Sequence, residues 1–439
     1  MKAPFPAGWN ASRCRGDELT VALRIAKGSM NAERFTHFTR GERPAEIQQV
    51  WVPPTDMGVR VIDKRAKSGS RLQEQEVKEA CLVVVVLGEQ KLEFKRKDPY
   101  DVTPDRSALP RIKMYISRTW DQGAINRTWE DGANMVVVDN SDVQINSTHR
   151  AAHLGRALIA QSHAEEGDHR EGFDISLPLY WAPPAVTRRK GMLPSDLTPL
   201  QAMPALSRRY WLTYKGSLYM DHAEGTQRRQ LLHMQLNGSA AGVAVFQRCF
   251  QRVGCLGWQC RQWQRPFNLR QCEELERRYN EAPSYVALLN TTFALVPSGR
   301  SPASWRLNEV MAVGAIPVFL SGDVLSGARY VPPYAEVVPW REISLHFSWD
   351  DHRPFWPVKL NAYDTRLNEG LTRRILAALA ALSPQQIARM QTGVRRAWRQ
   401  HLEPQAARRT FWRLLKRRVA GAAEAALAAQ APQEAKIDM

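Results

Sequence analysis

No apolar run in this 439-residue chain is long enough to cross a bilayer; the longest, Cys81 to Leu87, falls far short of the roughly 20 residues that a spanning helix needs. The first residues, Met1-Lys-Ala-Pro-Phe-Pro-Ala-Gly-Trp9, hold no apolar stretch of the kind a secretory leader carries. Asp-x-Asp, the spacing that presents a divalent cation to a diphosphate, is absent. Asp350-Asp351-His352 is adjacent rather than spaced, and Asp139-Asn-Ser-Asp142 is too wide, so both read as turns. There is no Cys-x-x-Cys pair and no helix-turn-helix, zinc-finger or RNP-like pattern, which removes the support for a nucleic-acid binder. Acidic residues are outnumbered 44 to 61 by Lys and Arg, giving a net charge of +17. That excess suits an anionic partner, whether a nucleotide diphosphate, an acidic polysaccharide, a membrane surface or nucleic acid, and does not choose among them.

Cysteine is scarce, with six in all, yet Cys249, Cys255, Cys260 and Cys272 crowd into one segment and read as disulfide formers with three pairings open. Sequons at Asn10, Asn126, Asn146, Asn237 and Asn290 point the same way, toward an oxidising secretory compartment.

Single cores stop growing near ~250–300 residues, so the length implies two or three domains. Residues 1–75 mix charge, Pro and Gly without period and carry no assigned structure. Over 76–180, Leu82–Leu87, Ile112–Ile116 and Met135–Val138 read as buried strands, interleaved with helical stretches such as His149–Gln161. Residues 181–207 hold Pro183, Pro184, Pro194, Pro199 and Pro204 and read as a linker. A second α/β run fills 208–382: strands at Tyr210–Tyr214 and Gly242–Gln247, and helices at Gln227–Leu236 and Ser284–Asn290. Two such halves predict twin Rossmann-like domains facing a cleft. Residues 383–439 form a basic helical extension: Ser383-Pro384 caps one helix, and Ala406–Ala428 carries Arg408, Arg409, Arg413, Lys416, Arg417 and Arg418. These six read first as a solvated face, and second as a contact for acidic glycan or lipid headgroups.

The most specific stretch is 293–320. Phe293–Val296 and Ala315–Leu320 are apolar runs of the kind found in doubly covered parallel strands. Pro297-Ser298-Gly299-Arg300 breaks the first, and Ser304 stands at the N-cap of a helix bearing Trp305, Arg306 and Glu309. Arginines beside such a helix start suit a diphosphate, because a planar guanidinium matches phosphate oxygens bidentately. Glu309, one helical turn after Arg306, suits a sugar hydroxyl.

Pro297, Gly299, Arg300, Ser304, Trp305, Arg306, Glu309 and Ile316-Pro317-Val318 fall in register with the C-terminal motif of exostosin-type glycosyltransferases, which this stretch resembles. Val331–Trp340, Tyr214-Lys215-Gly216 with Arg229, Gly155–Ser162, Arg170–Leu179, Glu79–Val86 and Trp129 with Gly132 and Asn134 are similar to further blocks of that family, so the likeness spans roughly 77–345. The resemblance implies an α/β GT-B fold, an acceptor domain at 76–180 and a donor domain at 208–382. It also implies inverting, metal-independent transfer of a sugar from a UDP-sugar co-substrate to a glycan or polysaccharide, with no other cofactor. Lys215, Gly216, Arg229, Gly299, Arg300, Ser304 and Arg306 would line the donor diphosphate, Glu309 would take the ribose, and Asp174 is the candidate base. Relatives of this type are Golgi-anchored and act beside related subunits, so an upstream start carrying the anchor is expected. Ser298 and Ser301 stand where the family often has basic residues, and Ala294 and Ala315 where many members have Cys. The serines support a second reading, an inactive glycan-binding or partner-stabilising subunit.

Overall fold

The computed structural model describes residues 19–25, 53–57, 59–61, 80–87, 135–139, 156–179, 194–218, 241–249, 269–297, 303–304, 306–320, 330–347 and 365–430. The chain divides into two units, Met1–Pro178 with Pro404–Met439, and Leu179–Glu403. Each is built on an all-parallel sheet.

In the first unit the strands are β1 (Leu19–Ile25), β2 (Val59–Val61), β3 (Leu82–Leu87), β4 (Met135–Asp139), β5 (Leu158–Gln161) and β6 (Ile175–Ser176), in the order β2-β1-β3-β4-β5-β6. All neighbours run parallel, from Leu19 against Val59 to Ala160 against Ile175. Val136, Val137 and Val138 are fully buried, as a strand covered on both faces requires. Two expectations change here. Residues 158–161, assigned above to the end of a helix, form β5 instead, because Leu158, Ile159 and Ala160 are completely buried in mid-sheet where tertiary pairing decides a short apolar run. The N-terminal 75 residues, left without structure above, supply β1 and β2. The strand expected at Ile112–Ile116 and the helix at Gln227–Leu236 lie outside the described residues.

The second unit opens with a helix, α1 (Pro194–Ala202), within the stretch read as a linker. Pro194 sits at its first position, where a missing N–H costs nothing. The sheet follows: β7 (Tyr210–Leu218), β8 (Val243–Cys249), β9 (Thr291–Pro297), β10 (Ile316–Leu320) and β11 (Leu345–Phe347), ordered β11-β10-β9-β7-β8 and again all parallel. Helices α2 (Leu269–Glu281), α3 (Tyr285–Leu288), α4 (Arg306–Ala312) and α5 (Trp340–Ile343) lie along this run. Order reverses at β7, which has β8 on one side and β9 on the other. In open parallel sheets such a switch point is where strand ends part and leave a crevice.

Two further helices complete this unit, α6 (Thr365–Ala380) and α7 (Pro384–Ala397). The cap read at Ser383 is present as a full capping box: Ser383 Oγ accepts from Gln386 N, and Gln386 Oε1 accepts from Ser383 N. After a π turn at Trp398–Leu402, α8 (Pro404–Gln430) belongs to the first unit and buries Phe411, Trp412, Leu414 and Leu415 completely. Three of its six basic residues are anchors there. Lys416 Nζ donates to Met57 O at 3.0 Å, Arg418 Nε donates to Phe173 O at 3.0 Å, and Arg409 pairs with Asp56 at 3.2 Å.

Candidate functional site

The carboxyl end of β7 carries Tyr214, Lys215 and Gly216. Its register with β9 runs from Tyr210 opposite Thr291 to Thr213 opposite Ala294, while its pairing with β8 continues to Leu218. The two strands therefore part at the switch point, and the carbonyl of Lys215 accepts a hydrogen bond from Arg306 Nη2 of α4. The Arg306 guanidinium lies over the Tyr214 ring, 4.3 Å from its centroid, and 5.2 Å from that of Tyr285. Arg306 is half-buried, and among the described residues Lys215 O is its one hydrogen-bond acceptor. A guanidinium has five N–H donors, so most remain for a ligand. Burial alone would lower its pKa, but Tyr285, Tyr214, Glu309 and Tyr279 together hold it above the ordinary value.

Glu309, one turn along α4, is buried and accepts a hydrogen bond from the Tyr285 hydroxyl. Burial, opposed by the Arg306 charge and reinforced by Glu309, pushes the Tyr285 phenol well above its usual range, so it stays protonated and donates. Lys215 Nζ donates to Pro283 O at 2.9 Å and Ala282 O at 3.4 Å, just past the end of α2, and stands 4.5 Å from the Tyr279 centroid. An ammonium there complements the helix C-terminus. Burial and the Arg248 charge lower its pKa.

Gly216 has a packing reason. A β-carbon at this position would fall 2.4 Å from Tyr214 Oη and 2.7 Å from Tyr214 Cζ. Gly314, at the end of α4, has φ +67° and closes the helix: its N–H bonds Met311 O, and Ala315 N–H bonds Val310 O.

Behind the cluster lies Arg208, buried, a residue that sequence reasoning missed because the Arg208-Arg209 pair reads as solvated surface. It donates to Leu200 O at 2.8 Å, Val313 O at 2.6 Å, Thr291 O at 3.1 Å and Leu289 O at 3.4 Å. Leu200 O belongs to α1, while Val313 O follows α4, Leu289 O follows α3 and Thr291 O opens β9, so one guanidinium ties down the far ends of both helices that carry Tyr285, Arg306 and Glu309. Burial first, then the Arg395 charge, lowers its pKa to about 10.

Of the residues singled out above, Lys215, Gly216, Arg306 and Glu309 are brought together, and Ser304 stands at the entry to α4, its carbonyl accepting from Leu307 N at 3.0 Å. Arg229, Gly299 and Arg300 lie outside the described residues. Asp174 belongs to the first unit. It is buried and accepts from Ile159 N at 2.9 Å, Arg170 N at 2.9 Å, Arg170 Nε at 3.0 Å and Arg170 Nη2 at 2.7 Å. Oδ1 thus ties the turn to β5 through Ile159 N, and Oδ2 holds Arg170 within the turn. Cys81, just ahead of β3, is disulfide-bonded. The side chains of the four clustered cysteines are not among those described.

A family model, the Exostosin GT47 domain, matches residues 61–355. Exostosin-1 of Drosophila melanogaster is 29% identical over 200 residues, covering 45% of this chain and 23% of the fly protein. Exostosin-1c of Danio rerio is 26% identical over 302 residues (67% and 36%), and Exostosin-1 of Bos taurus 25% over 303 (68% and 36%). The matched stretch thus spans about a quarter to a third of the length of these curated relatives. Among solved structures, the Candida albicans trehalose-6-phosphate phosphatase N-terminal domain superposes with a TM-score of 0.37 at 8% identity, over 92% of this chain and 97% of that one. The E. coli trehalose-6-phosphate structure bound with UDP-2-fluoro glucose gives 0.34 at 11%, over 90% and 93%. Superpositions this loose locate no site.

Proposed function

The chain belongs to the exostosin GT47 family across residues 61–355, and on that premise we propose that it is a glycosyltransferase whose second unit binds the diphosphate of a UDP-sugar through Arg306. The observation that carries the reading is the guanidinium lying over the rings of both Tyr214 and Tyr285 at the β7/β9 switch point, with donors left after its bond to Lys215 O. In the transfer, an acceptor hydroxyl oxygen bonds to the sugar C1 as the C1–O bond to the diphosphate breaks; a base takes the hydroxyl proton and the departing UDP takes the electron pair. The negative charge that develops on UDP is what fixed cations stabilise. In this reading Arg306 is joined by Lys215, Gly216 and Ser304, by Arg229, Gly299 and Arg300 on family register, and by Glu309 on the ribose. The reaction is inverting and metal-independent, and the acceptor is a glycan or polysaccharide, acidic in keeping with the charge of +17. The disulfide at Cys81 favours an oxidising compartment, the Golgi lumen by family, with a related transferase as partner subunit.

Ser298 and Ser301, which make the turn less cationic than is usual in the family, favour the second reading, a non-catalytic glycan-binding subunit. Hydrolysis of a panel of UDP-sugars, with and without chelator, separates the two. Turnover that survives chelation is expected. Turnover lost in chelator refutes metal independence, and none with any donor, while UDP still binds, favours the second reading.

A further inference from the structure

Tyr285 lies outside every block that carries the family resemblance, yet it makes two of the contacts that define the site. It is the first residue of α3, a four-residue helix held at its start by Ser284, whose Oγ accepts from Ala287 N at 3.2 Å. From there its hydroxyl donates to Glu309 Oε2, while its ring stands 5.2 Å from the Arg306 guanidinium. A carboxylate as buried as Glu309, at 4% exposure, needs donors to offset its lost hydration. The identity of the donor matters. A phenol donates one hydrogen bond to a carboxylate without bringing a charge of its own.

We propose that Tyr285 is a positioning residue: its hydroxyl fixes the Glu309 carboxylate in the orientation that accepts the ribose hydroxyls of the nucleotide, while its ring forms one side of the slot holding Arg306. This rests on the donor-site reading above. One residue then sets the spacing between the group that binds diphosphate and the group that binds ribose, and links two elements 24 positions apart in the chain. The high pKa of the phenol keeps it a donor across the physiological range.

Because Tyr285→Phe keeps the ring and deletes only the hydroxyl, calorimetric titration with UDP and with 2′,3′-dideoxy-UDP tests the assignment. Wild type is expected to prefer UDP by about tenfold, the size of one hydrogen bond to a charged group. Y285F should lose about that factor for UDP, keep wild-type affinity for the dideoxy nucleotide, and so lose the discrimination. E309Q should behave alike, and serves in place of Y285F if that variant unfolds. Equal weakening toward both nucleotides would make Tyr285 merely structural and overturn the proposal, as would undiminished discrimination in Y285F. Wild type binding both nucleotides equally removes the ribose role while sparing the diphosphate site. Wild type binding neither refutes the donor-site reading itself, and the Tyr285 assignment with it.

Discussion

Replacing Gly216 with alanine perturbs the site by a displacement that can be worked out from the packing. The added methyl would meet Tyr214 Oη at 2.4 Å, Cζ at 2.7 Å and Cε1 at 3.2 Å, against an ordinary contact of ~3.5 Å or more. The phenol must therefore move by about 1 Å. It has little room, since Tyr214 is 1% exposed and the Arg306 guanidinium lies on its face. Overpacking of this kind costs about 1–3 kcal/mol. At ~2–4 °C per kcal/mol for a unit of this size, Tm should fall by roughly 2–12 °C. The functional loss should exceed the structural one, because shifting a binding group by an ångström can cost up to ~100-fold. UDP affinity is accordingly expected to drop by tenfold or more at a temperature where G216A is still folded. Differential scanning fluorimetry and calorimetric titration with UDP measure the two effects. Adding Tyr214→Phe removes the atom at 2.4 Å and should restore part of the lost Tm. A G216A protein that melts and binds UDP as wild type does would refute the close packing of Gly216 on Tyr214, and with it the slot.

Arg208→Met should lower Tm by roughly 6 °C or more, since it strips donors from buried carbonyls at about 1–3 kcal/mol each; Arg208→Lys, with a compact ammonium in place of the fork, should fall between. Unchanged melting in Arg208→Met would show that the carbonyls at the ends of α3 and α4 do not depend on it. His346 stacks on Phe319 at 4.7 Å and shares a 2.8 Å hydrogen bond with Ser344 Oγ; desolvation, then the Arg341 charge, lowers its pKa to about 4. His346 is exposed, so solvent screens much of this shift; the unfolded chain still binds more protons below pH ~6.5, and this group makes stability decline by a small amount as pH falls from there toward ~4. His346→Phe should flatten that part of the Tm–pH profile, and an identical profile would contradict the assignment.

The sheets were legible in the sequence because parallel strands covered on both faces leave continuous apolar runs, as at Leu82–Leu87, Met135–Asp139 and Ile316–Leu320. Leu158–Gln161 was not, since four buried residues fit a helix and a strand equally well until a neighbour pairs with them. The helix Pro194–Ala202 hid behind prolines that elsewhere mark a linker, one of them tolerated at its first position. Arg306 and Glu309 were visible because they sit three apart on one helix, beside a recognisable turn. Tyr285 and Arg208 reach that helix through tertiary packing, from 24 and 105 positions away, and no local spacing announces either contact.

The account stands most directly on whether Arg306 binds the diphosphate, and comparing UDP with uridine across Arg306 variants measures that. Wild type should bind UDP far more tightly than uridine; Arg306→Gln should lose roughly 100-fold for UDP, the size of a charge-assisted bidentate contact, with uridine affinity unchanged, and Arg306→Lys should recover little of it. Equal affinity of wild type for the two ligands, or an Arg306→Gln protein that holds UDP as wild type does, would contradict the central claim.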